Sequence, residues 1–169
     1  MKKTIAIAVA ALMILSGTVA FAESKGQNEP ASGTPVKMQE AKMLAERLGP
    51  QIGEVKENKE EMLRVREEIR NAYGEAQNAI GEMIRNRDQL RLDQIEALED
   101  CLNRIRESRG VLEGTIGEIE GEMTKFRAQA RNRNQDGASA SLENCAKVQT
   151  VRIQEMKRVL EELNKINDM

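Results

Sequence analysis

The chain has 169 residues, 26 Lys and Arg against 28 Asp and Glu, no His, no Trp and only three aromatic side chains. Without histidine there is no Ser-His or Cys-His nucleophile pair, no His zinc ligand and no CxxCH haem attachment. The mixed charge, −2 overall, argues against nucleic acid as the main partner, and the scarcity of rings excludes an aromatic core.

Met1 to Ala22 reads as a cleavable signal peptide. Lys2 and Lys3 precede an unbroken apolar run from Ile5 to Leu15, and Ala20-Phe21-Ala22 places small residues at the two positions a signal peptidase reads. The run is shorter than the roughly 20 residues a membrane span needs. The expected localisation is therefore periplasmic or secreted, with no stable membrane span after cleavage at about Glu23. Removing Lys2 and Lys3 lowers the charge from −2 to −4. Apolar content then falls to roughly a third, below the globular norm. The remaining Glu, Arg, Lys, Gln, Ala, Leu, Ile and Met favour helix over strand.

Glu23 to Thr34 is a polar tether with Gly, Ser and Pro, expected to be disordered. The rest, 35–169, is expected to form a single helical or coiled-coil domain. Thr34-Pro35 is a helix start, with Thr as cap and Pro in the first turn. A short helix to about Leu48 should stop or kink at Gly49-Pro50, because Pro lacks the backbone donor and clashes one turn back.

From Glu54 a long helix follows. Met62, Val65, Ile69, Ala72, Ala76, Ala79 and Met83 alternate in steps of three and four, which makes one apolar seam. The pattern loses register between Arg85 and Gln94, where the chain either bends or carries a discontinuity. A second seam runs Ile95, Leu98, Leu102, Ile105, then past Arg109 through Leu112, Ile116, Ile119, Met123 and Phe126 to Ala130. The methionines on these seams read as core filler rather than soft-metal ligands. Asn134-Gln135-Asp136-Gly137 is a turn, and Ser139 or Ser141 can cap a last helix from Leu142 to about Asn167. Its stripe is Leu142, Ala146, Ile153, Met156, Leu160 and Leu163.

Gly110, Gly114, Gly117 and Gly121 share one helical face, away from the seam. A helical Gly costs about 1 kcal/mol against Ala, so four together need a reason. They could serve close helix packing, mark a chain reversal, or sit on a solvated face. Cys101 and Cys145 bear on the choice. In an oxidising compartment two cysteines in a small chain suggest a disulfide. The crosslink needs Cα atoms within about 7 Å, which an unbroken helix to Asn134 forbids and a reversal near Gly114 allows. The expectation is therefore a reversal within 109–117 and an intramolecular Cys101–Cys145 bond. Intermolecular pairing and two free thiols are the alternatives.

Lys125, Arg127, Arg131 and Arg133 form a basic cluster. It suits a helix C-terminus and could also touch an anionic group. Asp93, Glu96 and Asp100 read as a solvated acidic face. No catalytic motif, cofactor site or metal site emerges.

The expected fold is all-α: an elongated helical bundle with a long amphipathic region and a C-terminal helix packing back. The expected function is non-enzymatic, a structural or adaptor module of the cell envelope. It would bind protein partners or itself through helical seams. The alternative is a periplasmic holdase for unfolded clients. The chain is similar in size and expected compartment to Spy-like and Skp-like chaperones, without an LTxxQ motif, a β-rich segment or a basic net charge.

Overall fold

The computed structural model describes residues 35–86 and 90–169, with side chains placed at 43 and from 46 onward. The signal peptide and tether read in the sequence lie outside the described residues. Three helices account for almost all of the rest. They are α1 (Pro35–Arg85, 51 residues), α2 (Leu92–Arg131, 40 residues) and α3 (Gln135–Asn167, 33 residues). The all-α bundle is as the sequence implies. α1 and α2 run antiparallel, and α3 turns back to pack along both of them, while α1 and α2 meet each other only sparsely.

The bend between the two seams is real. α1 ends at Arg85 and α2 starts at Leu92, where the backbone N–H of Arg91 donates to the Gln94 side chain at 3.1 Å. The second reversal is tight. Arg133 adopts the left-handed conformation (φ 57°), and the Asn134 side chain accepts the Gly137 N–H at 3.0 Å to cap α3. Asn134, not Ser139 or Ser141, is thus the cap. A Cβ at Gly137 would stand 2.7 Å from Asn134 Nδ2 and 2.9 Å from the Gln129 side chain, so a larger residue there would displace those two side-chain ends.

Two sequence expectations are corrected. The helix does not stop at Gly49-Pro50, since α1 is continuous through Pro50. Leu48 on one side of the proline is buried with Ala138 and Leu142, and Ile52 and Val55 on the other side pack on the same cluster. Burial on both sides offsets the lost hydrogen bond. Nor does the chain reverse within 109–117. α2 is helical through all four glycines, with the Leu112–Ala130 seam beside them half-buried along its length.

The core has three parts. At one end Ala72, Ala76 and Ile80 meet Cys101, Leu102, Ile105, Val159, Leu163 and Ile166. In the middle Met62 and Val65 meet Ile153 and Met156. At the other end lies the Leu48 cluster, with Met123 and Phe126 packed on it. The parallel register of α1 and α3 is pinned by Gln51 to Ser139, Asn58 to the Ala146 carbonyl, and Asn167 to the Ala72 carbonyl. Lys157 on α3 adds an ion pair with Glu61 on α1 at 2.7 Å.

Candidate functional site

The expected disulfide requires Cys101 and Cys145 to lie with their Cα atoms within about 7 Å. Both are free and buried. Cys101 sits beside Glu162, near the C-terminal end of α3, whereas Cys145 lies beside Glu122. Along α3 the two levels are separated by about 25 Å, far beyond disulfide reach. The reversal that would have brought them level does not occur. Burial raises the pKa of Cys101 to about 11, and the Glu162 carboxylate adds to the shift. Burial also raises that of Cys145. Neither thiol is set up as a nucleophile.

Glu162 itself is buried. Burial pushes its carboxyl up, but hydrogen bonds from Lys165, Cys101 and Arg104 outweigh that, and the net shift is downward. Its Oε2 has no hydrogen-bond partner.

The α2–α3 interface turns polar at mid-length, which the sequence reading missed. Ser108, Thr115, Gln149, Arg152 and Glu155 are all buried. The Arg152 guanidinium donates to the Leu112 carbonyl at 2.6 Å and to Thr115 Oγ1 at 2.9 Å. Thr115 in turn donates its hydroxyl to the Leu112 carbonyl. Burial first, then the like charge of Arg66, lowers the Arg152 pKa. Glu155 pairs with Arg158 on its own helix at 2.6 Å. The Gln149 Oε1 is buried without a partner. One signal for this layer was present: Gln149 fills the three-and-four spacing between Ala146 and Ile153.

Outside this layer, α2 and α3 line an open groove. It comprises two adjoining hollows of about 440 and 330 Å3. Gly110, Gly114 and Gly121 leave gaps between the side chains on its α2 side, and Val111, Val148 and Val151 supply its apolar surface. Val111 and Val151 are 43% and 44% exposed. Its charged rim carries Glu118 and Glu122 with Lys125 and Lys147.

The four glycines pack nothing within the chain. A Cβ on any of Gly110, Gly114, Gly117 or Gly121 would meet no atom within 4 Å. They are exposed, so an intramolecular packing role is not what they serve in this fold. The basic cluster is dispersed. Lys125 lines the groove and pairs with Glu122 at 2.6 Å, Arg127 and Arg131 stand exposed on the last turns of α2, and Arg133 lies in the turn. Of the seam methionines, Met62 and Met156 are buried core residues and Met83 and Met123 are half-buried.

Among the described residues no group of three or more Cys, Asp or Glu is arranged to hold a metal ion, and no helix is long and apolar enough to cross a membrane. Compared with protein-family models, curated proteins and solved structures, the chain matches none.

Proposed function

We propose that this chain is a non-enzymatic helical interaction module of the cell envelope, which binds another helical surface in the α2–α3 groove. One observation carries the reading: two valines, Val111 and Val151, stand more than two-fifths exposed on facing helices, beside the bare backbone at Gly110 and Gly114. Apolar surface gathered in a concave, charge-rimmed groove is the form in which helices accept other helices. The glycines allow close backbone approach there, which gives their helical cost a function. Export to the periplasm is part of the proposal and rests on the Lys2 to Ala22 pattern. The holdase reading has less support, because Met43, Leu63 and Leu92 are exposed outside the groove and do not extend its apolar lining.

Site-specific photo-crosslinking in cells tests this. A benzophenone side chain at Val111 or Val151 should give a discrete protein adduct in the envelope fraction, and one at Leu63 should not. Equal labelling from all three positions, or none from the groove, would contradict it.

A further inference from the structure

We infer that the occupant of the groove is a second copy of this chain, related by a two-fold axis parallel to the helices, an inference that rests on the docking reading above. In that arrangement α2 of each copy lies antiparallel against α3 of the other. Charge makes the choice. The groove-lining charges of α2 are Glu118, Glu122 and Lys125, and Lys125 pairs with Glu122, which leaves the Glu118 charge on this face. An axis perpendicular to the helices would lay this face against itself, and like charges facing each other across an interface are unfavourable. An axis along the helices lays it against α3, whose groove-lining charge is Lys147.

The register fits. Arg152 meets Leu112 and Thr115, and Glu162 meets Arg104, so in this antiparallel pair Gly114 is level with Val151 and Glu118 with Lys147. A two-fold axis along the helices leaves heights unchanged. Val151 of the second copy therefore comes opposite the bare backbone at Gly114, and Lys147 of the second copy opposite Glu118. The operation repeats both contacts, as an isologous interface requires. Glu113 and Glu122 are already paired, with Arg109 and Lys125. No ion pair engages Glu118 or Lys147 among the described residues. Six valines, three from each copy, then share one apolar patch.

Sedimentation velocity over a wide concentration range tests the inference on the purified protein. It should show reversible doubling of mass. Glu118→Lys and Lys147→Glu, both at exposed positions, should each weaken association roughly tenfold or more while helicity by circular dichroism stays unchanged. Mixed together, these two variants should form a heterodimer tighter than either homodimer, because both cross-contacts are again opposite in sign. A monomer at every concentration would overturn the inference, as would association indifferent to both substitutions. A dimer strengthened by Glu118→Lys would also overturn it, since that result belongs to the perpendicular axis. If the protein is monomeric but Val111 still crosslinks a different envelope protein, the second copy is wrong and the docking module stands.

Discussion

Arg152 reaches across from α3 to hold the Leu112 carbonyl of α2 at 2.6 Å, a buried cation bonded to neutral oxygens. It joins α2 to α3 at the height where the apolar core is interrupted. A buried charge without a carboxylate is costly, and burial accordingly lowers its pKa. Its expected contribution is therefore to register rather than to stability.

Substitution separates these two contributions. Arg152→Met keeps volume and removes the charge, and should leave thermal stability equal or higher by up to about 2 kcal/mol. Arg152→Ala opens a cavity and leaves Thr115 without its donor, and should cost roughly 2 kcal/mol. Chemical denaturation of both variants checks the order. Equal losses in both would mean the charge itself stabilises the fold.

The glycine face makes a second test. Gly117 lies outside the groove lining and faces open space, so Gly117→Ala should stabilise the chain by roughly 0.5–1 kcal/mol. Pro50→Ala restores a helix donor and should add roughly 1–3 kcal/mol. Melting temperatures read both. A loss in either would place a bend where α1 and α2 are continuous.

Acid should weaken the Glu61 ion pairs, one of which, with Lys157, joins α1 to α3. Glu61 has its carboxyl pKa lowered to about 2, chiefly by its hydrogen bond from Arg64 and then by that from Lys157. A depressed folded pKa binds fewer protons in the folded state, so its contribution is complete above the ordinary value of 4.5 and disappears as pH falls toward 2. Glu61→Gln should flatten the melting profile between these two pH values and leave it unaltered in shape above. An unchanged acid limb would mean that the Glu61 pairs with Arg64 and Lys157 do not contribute to stability.

The thiols should behave as buried groups. Two should react with a disulfide reagent in denaturant, and both slowly in the native protein, with Cys101 the harder to ionise. A peptide map linking Cys101 to Cys145 would contradict the fold.

Much of this architecture is legible in the residues. The three-and-four spacing from Met62 to Ala76 and from Leu98 to Ile105 marks faces that bury, and the break near residues 85–94 marks the bend. What misleads is local chemistry read without its tertiary neighbours. Pro50 and the four glycines are poor helix residues, yet helix runs through them, with Leu48 buried on one side of the proline and the Leu112–Phe126 seam half-buried opposite the glycines. The cysteine pair misleads for a related reason: a compartment argument says that disulfides can persist, and it carries no distance. Arg152 and Gln149 are invisible to a pattern that counts only apolar positions. The groove needs three dimensions, because Val111 and Val148 belong to different helices.

The most direct test of this fold is a distance along α2. Spin labels at Glu99→Cys and Thr124→Cys, with Cys101 and Cys145 replaced by Ser and the sample diluted with unlabelled protein, report whether the helix runs unbroken past its glycines. Both positions are exposed. A continuous α2 gives a narrow distribution near 37 Å, from about 1.5 Å per residue. A distribution centred below about 20 Å would mean that the chain reverses between them, and would remove both the groove and the account built on it.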